Sequence, residues 1–162
     1  MKNNIFKIFI VYYFIFCISV ISLGVFLGRI VNIDLFDPKA PSLNNEFMFL
    51  VLSHNLRNFV MYILGFILSP ILQLLDFGGS AFQITLGSRM LGVDETLRKL
   101  IPHGLLEFPN MLLYQGMSQY LLFTLIFTRS IKCTLSTWKK MIPLYLISLI
   151  ILVVAAIIEG HV

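Results

Sequence analysis

The chain has 162 residues, of which 58% are hydrophobic and only 12% are charged, and its formal net charge is +4. A soluble domain of this size needs more polar surface, so the composition excludes a water-soluble protein and indicates a single membrane domain over residues 1–162. The positive charge is accounted for by basic residues of the kind that orient membrane proteins, and it does not indicate nucleic-acid binding.

The first predicted span is 8–28, which contains no charged side chain and is long enough to cross a bilayer. Its apolar region is too long for a signal peptide and carries no small-residue cleavage site, so we expect an uncleaved helix. Gly24 and Gly28 form a small-xxx-small pair, which lets another helix pack closely.

The second predicted span is 58–75, preceded by the apolar run 47–52. One helix over 47–75 would be about 43 Å long, longer than the hydrocarbon core, so we expect a separate interfacial helix before this span. The sequence Asp76-Phe77-Gly78-Gly79 predicts a turn. The third span, 77–93, is short and either crosses at a tilt or re-enters the membrane.

The last two predicted spans are 105–128 and 141–158, with an amphipathic segment, 94–99, before the fourth span. The loop 129–140 carries four basic residues and no acid, so the positive-inside rule places it in the cytoplasm together with the N-terminus. An even number of crossings must separate these two regions, which requires 77–93 to cross. The sequence thus predicts an all-α membrane protein, a bundle of five transmembrane helices with the C-terminus outside.

Polar residues that are costly in hydrocarbon fall at the predicted outer ends of four elements. Glu107 is the only charged residue in 105–128, and Pro109 disfavours the helix two residues later. In this topology they form one polar cluster at or just below the outer surface. The cluster either binds a partner or ligand, or holds the bundle together by pairing Glu107 and Glu159 with Arg57 or Arg89. Its members are His54, Asn55, Arg57, Arg89, His103, Glu107 and Glu159.

No pattern in the sequence indicates catalysis. His103 and Glu107 lie four residues apart, but a zincin-type site needs two histidines at helical spacing with a glutamate between them. The sequence also lacks the motifs of intramembrane serine, aspartyl and paired-glutamate proteases, and it has no phosphate-binding loop. We therefore expect a protein that is not an enzyme and that uses no metal or cofactor.

A series of motifs resembles the stage II sporulation protein M family, and Pro102-His103-Gly104 followed by Glu107 and Pro109 is its most specific part. The resemblance covers about residues 47–162 and includes the polar step ending at Asn55 and the terminal Glu159-Gly160. Glycines and a proline along the chain are expected to serve helix packing or turns. They are Gly24, Gly28, Gly65, Gly78, Gly79, Gly87, Gly104, Pro109 and Gly116.

The resemblance implies a multi-pass protein of the bacterial cell membrane with no known catalytic activity. The sporulation member of this family works with peptidoglycan-remodelling partners during engulfment. Short relatives accompany circular bacteriocins and assist maturation, export or immunity beside other membrane subunits and an ABC-type ATPase. The family often has Asn-Asn where this chain has His54-Asn55, and Asn-Gly where it has Gly78-Gly79. These differences favour an accessory relative.

We therefore expect a non-catalytic subunit of a membrane complex, with the lipid bilayer and other membrane proteins as its partners. The first candidate process is maturation, secretion or immunity of a bacteriocin-like peptide, and the second is engulfment during sporulation. A third interpretation is a small transporter or channel that uses Glu107 and Glu159 as ion-binding carboxylates. The sequence leaves the oligomeric state open.

Overall fold

A computed structural model describes residues 2–36 and 45–159, although the side chains of a few helical residues, His103 and Glu159 among them, fall outside this description. The described residues form helices and contain no strand. The helices are α1 (Lys2–Ile30), α2 (Asn45–Leu64), α3 (Ser69–Leu91), α4 (Val93–Thr128) and α5 (Ile131–Glu159), with short 3-10 turns at Ile33–Leu35 and Phe66–Leu68.

Three of the described helical segments are long and apolar enough to cross a membrane, namely Ile5–Ile30, Phe66–Leu91 and Ile131–Ile158. The polarity of the bundle agrees with a lipid environment. Phe14 and Leu64 are 66% and 75% exposed, whereas Gln73 and Gln115 are fully buried. This distribution, with apolar side chains outside and polar side chains inside, is the reverse of that in a soluble protein. It supports the all-α membrane class.

The predicted boundaries of spans two and three are wrong. Residues 58–75 do not form one helix, because α2 ends at Leu64 and a 3-10 turn follows Gly65. Pro70 then lies in the first turn of α3, where a proline loses no helical hydrogen bond. The predicted turn at Asp76–Gly79 lies inside α3 instead. Gly78 serves helix packing, since a methyl group on Gly24 of α1 would overlap its carbonyl oxygen.

Two other expected interruptions of the helices are not observed. The residues 47–52 belong to α2, and the amphipathic segment 94–99 forms the first turns of α4. The helix α4 also continues through Pro109. Proline removes one helical hydrogen bond, but packing against neighbouring helices stabilises α4 before and after Pro109. Here the next two residues, Asn110 and Met111, are buried.

Helices α1 and α3 run parallel. Near one end Gln73 Nε2 donates to Cys17 Sγ at 3.2 Å, and near the other end Arg89 donates to the carbonyl oxygen of Gly28 at 2.7 Å. Gly28 lies against Thr85, and Gly24 against Gly78. The two glycines of α1 therefore lie where α1 and α3 approach each other closely.

Helices α4 and α5 form an antiparallel hairpin, and α4 also runs antiparallel to α1. Tyr13 donates to the carbonyl oxygen of Leu112 at 2.8 Å, and further along the same interface the rings of Phe9 and Tyr120 are 5.0 Å apart. Asn110 of α4 donates to the carbonyl oxygen of Ser148 in α5 at 3.0 Å. The start of α1 and the end of α5 therefore lie at opposite ends of the bundle.

Candidate functional site

A cavity of about 300 Å³ lies between α2, α3 and α4, and we call it the polar cavity. The polar side chains are three or four residues apart in α3 and seven apart in α4, and these spacings keep side chains on one helix face; in α2 two adjacent residues and a third one turn later contribute. The polar lining consists of His54, Asn55 and Asn58 from α2, Asp76, Ser80 and Gln83 from α3, and Glu107 and Tyr114 from α4.

Two carboxylates in the polar cavity are each bound by an amide of α2. Asn55 Nδ2 donates to Glu107 Oε1, and Asn58 Nδ2 donates to Asp76 Oδ1 at 3.2 Å. The Asn58 nitrogen also lies 3.2 Å from His54 Nε2. The three α2 side chains His54, Asn55 and Asn58 therefore lie beside the two carboxylates.

The two carboxylates lie near the middle of the bundle. Asp76 is about 15 Å from one end of Phe66–Leu91 and about 22 Å from the other, at about 1.5 Å per residue. Glu107 is at a similar level, since its neighbour Phe108 packs on Phe77 with ring centroids 6.5 Å apart. Glu107 was expected one turn inside a span that began at residue 105. It lies about four turns into its helix, because α4 begins at Val93.

The two arginines of the expected cluster do not line the polar cavity. Arg89 donates to the carbonyl oxygens of Gly28 and Val31 at 2.7 and 2.8 Å. A cation at this place satisfies carbonyl groups at the C-terminal end of α1, and it interacts favourably with the negative end of the helix dipole. Arg57 is exposed. It lies two residues from Asn55, so the two side chains leave α2 on different faces.

The structure therefore brings together His54, Asn55 and Glu107, and it separates Arg57 and Arg89 from them. The hydrogen-bond partner of Glu107 is the amide of Asn55, whereas the ion-pairing interpretation required an arginine. The backbone of His103 lies one helical turn before Glu107, and Glu159 is the last residue of α5. The side chains of these two residues fall outside the described part of the chain.

Sequence reasoning missed Asp76, Asn58, Ser80, Gln83 and Tyr114. The signal that could have found the α3 members is a polar series at helical spacing, which begins at Ser69 and Gln73 and continues through the cavity residues. Such a series of period three to four predicts one continuous helix with a polar face. The Gly78-Gly79 pair obscured it, because the same residues are typical of a turn.

A second polar layer lies beside the polar cavity, towards the start of α1. Gln119 Nε2 donates to Gln73 Oε1 at 2.7 Å, and Gln73 Nε2 lies 3.3 Å from the hydroxyl of Tyr13. Gly116 packs against the ring of Tyr13. Buried amides of this kind hold helices together when they are hydrogen-bonded.

Several fully buried polar atoms next to these two layers have no hydrogen-bond partner. They include both side-chain polar atoms of Gln115 and the side-chain oxygen of Gln119. Within the described residues, no group of three histidine, cysteine, aspartate or glutamate side chains is placed to hold a metal ion. The arrangement offers carboxylate and amide oxygens as acceptors, together with a few open donors.

The model of the family "Stage II sporulation protein M" (SpoIIM) matches residues 5–162. No significant similarity was found to a curated protein or to a solved structure. The match spans all five helices and both carboxylates of the polar cavity. The chain therefore belongs to the stage II sporulation protein M family.

Proposed function

We propose that the chain is a non-catalytic integral subunit of a membrane complex, which holds a ligand or partner in its polar cavity. The observation that carries this proposal is the convergence of two amide-bound carboxylates on one cavity inside an otherwise apolar bundle. Such groups are expensive in hydrocarbon, so they mark a binding or transport site in membrane proteins.

We further propose that all five helices cross the bacterial cell membrane, with the N-terminus in the cytoplasm and the C-terminus outside. The direction of α4, opposite to that of α1 and of α5, supports this number of crossings. Helices α2 and α4 carry polar residues of the cavity, which lowers their mean hydropathy, and these residues line the space between α2, α3 and α4. The basic loop 129–140 supports the orientation.

Binding accounts for the polar cavity better than chemistry does. The hydroxyl of Ser80 donates to the backbone carbonyl of Asp76 at 2.9 Å, so it is not directed at a base. His54 Nε2 contacts the side-chain amide of Asn58, and that amide also donates to Asp76. A nucleophile in contact with its general base is the usual sign of covalent catalysis, and the described lining residues do not form such a pair.

The process that we propose first is maturation, secretion or immunity of a bacteriocin-like peptide, beside an ABC-type ATPase or permease. An acidic cavity suits a basic ligand, and peptides are one source of basic groups. Membership of the stage II sporulation protein M family supports a second process, engulfment during sporulation. Expression confined to sporulating cells favours the second process, whereas cotranscription with a precursor-peptide gene and an ATPase gene favours the first.

Affinity purification from native membranes tests the subunit role. The tagged chain is expected to retain other membrane proteins, and Glu107→Gln should reduce their yield because it removes a charge from the polar cavity. The matched control is Glu95→Gln near the start of α4, where Glu95 pairs with Arg98 at 3.1 Å away from the cavity lining. Purification of the chain without any membrane partner would contradict the proposal.

A small transporter is the second candidate function, and it is supported by the central position of Asp76 and Glu107. Carboxylates at this depth occur in ion and proton pathways. A transporter should give flux in proteoliposomes that contain this chain alone, and Asp76→Asn or Glu107→Gln should abolish that flux. A subunit that acts only by holding partners gives no flux above that of empty liposomes.

A further inference from the structure

Acidic side chains outnumber basic side chains in the described lining of the polar cavity, where His54 is the one basic member. Asp76 and Glu107 both line it, and the described lining residues include no lysine or arginine. The amides of Asn55 and Asn58 stabilise the two carboxylates by hydrogen bonds but carry no charge. A carboxylate removed from water is stabilised most effectively by a cation, so the lining is complementary to a positively charged ligand.

Unpartnered buried groups provide a second and independent observation. Gln115 is fully buried, and neither its Nε2 nor its Oε1 has a hydrogen-bond partner. It lies one helical turn after Met111, which lines the polar cavity, so both residues point to the same side of α4. The hydroxyl of Tyr62, one turn after Asn58 in α2, faces the Asp76 carboxylate and is not one of these open groups. Buried polar groups are normally satisfied, and open ones beside a cavity indicate that something else occupies it.

The remaining lining is apolar and suits an alkyl chain. Leu50 and Val51 of α2, Ile84 of α3 and Leu100 of α4 line the polar cavity together with the two carboxylates. A lysine or arginine side chain combines an apolar stem with a cationic head, and it places the stem along such surfaces. A volume of about 300 Å³ accommodates one such side chain and several waters, since water occupies about 30 Å³ per molecule.

We propose that the polar cavity binds one basic side chain of a peptide segment, an alkylammonium or alkylguanidinium group, with Asp76 and Glu107 as its counter-ions. The stem of the ligand lies against the aliphatic wall, and its head reaches towards Gln115. This inference rests on the proposed function and deepens it, because it names the chemical class of the ligand that the membrane subunit holds.

Thermal unfolding of the purified full-length chain tests the proposal, followed by the fluorescence of its one tryptophan, Trp138. The probes are butylguanidinium and butylammonium chloride, and butylurea is the neutral counterpart of the former. Both cations are expected to raise the unfolding temperature in a saturable manner, whereas butylurea and sodium chloride at equal concentration should not. An equal shift with butylurea, or with sodium chloride, would overturn the proposal.

Charge-removing variants identify the site. Asp76→Asn and Glu107→Gln should each weaken the apparent affinity for butylguanidinium at least about tenfold, and the double variant should lose the saturable shift. The matched control is the double variant Asp94→Asn and Glu95→Gln, which removes two acids from the start of α4 and should retain the shift. Retention of the saturable shift in the double cavity variant, when that variant folds normally, would overturn the assignment of the site.

Photo-crosslinking in cells distinguishes the two sources of the basic group. A benzoylphenylalanine in place of Val51, which lines the polar cavity, is expected to crosslink either a secreted peptide or a helix of a membrane partner. The mass of the adduct identifies the source. The result of the cation assay is independent of affinity purification, because the cation assay uses the isolated chain. A chain that binds butylguanidinium but retains no partner keeps this inference and loses the subunit role.

Discussion

Asn55 of α2 donates a hydrogen bond to the Glu107 carboxylate of α4 across 52 positions of sequence. This contact joins the two helices near the middle of the bundle, and it provides Glu107 with its donor among the described residues. An amide in this position lowers the cost of burying the carboxylate without neutralising it. The carboxylate therefore remains available to a cationic ligand.

Asn55→Ala is expected to destabilise the protein by about 1–3 kcal/mol, because it leaves a partly buried carboxylate without its donor. The double variant with Glu107→Gln should recover part of this loss, since a neutral amide tolerates the missing donor better than a carboxylate. A double-mutant cycle of unfolding free energies in detergent measures the coupling. The exposed Ser53→Ala in the same helix is the control, and a coupling near zero would show that the contact contributes nothing.

Gly24 and Gly79 provide a matched pair of glycine substitutions. A methyl group at Gly24 would overlap the Gly78 carbonyl oxygen, whereas one at Gly79 would meet nothing within 4 Å. Gly24→Ala should therefore destabilise the protein by about 1–3 kcal/mol through overpacking of α1 against α3. Gly79→Ala should stabilise it by about 0.5–1 kcal/mol, because alanine favours a helix interior.

Thermal unfolding of both variants checks the opposite signs. Destabilisation by Gly79→Ala would indicate that the chain turns at this position, as the sequence alone suggested. An unchanged stability in Gly24→Ala would indicate that α1 and α3 are not in close contact there.

Hydropathy was sufficient to predict helices at α1, in the second part of α4 and at α5, because long apolar runs have few alternatives in a chain of this composition. It could not locate the boundary between α2 and α3. Gly78-Gly79 after Asp76 has the local properties of a turn, and only the neighbouring helix α1 shows that the backbone there is helical and closely packed. Local sequence does not contain that long-range information.

The sequence predicted only part of the site, again because local sequence does not contain long-range information. The energetic cost of Glu107 in an apolar run identified it, and proximity in the expected topology identified His54 and Asn55. The same reasoning placed Arg89 in the expected polar cluster, because a long cationic side chain can bind a carboxylate or the carbonyl groups at a helix end equally well. In the structure Arg89 reaches the carbonyl groups of α1. Asp76 was missed because it was interpreted as part of a turn.

Arg89→Gln is expected to destabilise the protein by about 1–2 kcal/mol, because two carbonyl groups at the end of α1 lose a charged donor. The affinity for butylguanidinium should not change, since Arg89 is absent from the lining of the polar cavity. The exposed Arg57→Gln, which removes the same charge, should alter stability by no more than about 0.5 kcal/mol. A change in cation affinity in the Arg89 variant would place this arginine in electrostatic contact with the cavity.

Gln115→Leu and Gln119→Leu are the same substitution on one helix and should have opposite effects. Gln115 has no partner for either polar atom, so leucine should stabilise the unliganded protein by about 1 kcal/mol or more. Gln119 donates to Gln73 at 2.7 Å, so its replacement should destabilise the protein by about 1–2 kcal/mol.

The affinity for butylguanidinium distinguishes a ligand-binding Gln115 from one that is only poorly packed. Binding should weaken several-fold in Gln115→Leu if its amide faces the ligand. An unchanged affinity combined with higher stability would show that Gln115 has no role in the site.

The proposed orientation of the five helices is tested by cysteine labelling of intact cells with an impermeant maleimide. Cys133 lies in the basic region near the start of α5, whereas a cysteine introduced as Asp94→Cys lies at the opposite end of the bundle, at the start of α4. The external reagent should modify position 94 and not Cys133, and permeabilised cells should show labelling of Cys133 as well. Cys17 is buried in the bundle and should remain unmodified in both conditions. Cys133→Ser in the Asp94→Cys background controls for the signal from Cys133. External labelling of Cys133 would reverse the orientation, and with it the side of the membrane from which a basic peptide reaches Asp76 and Glu107.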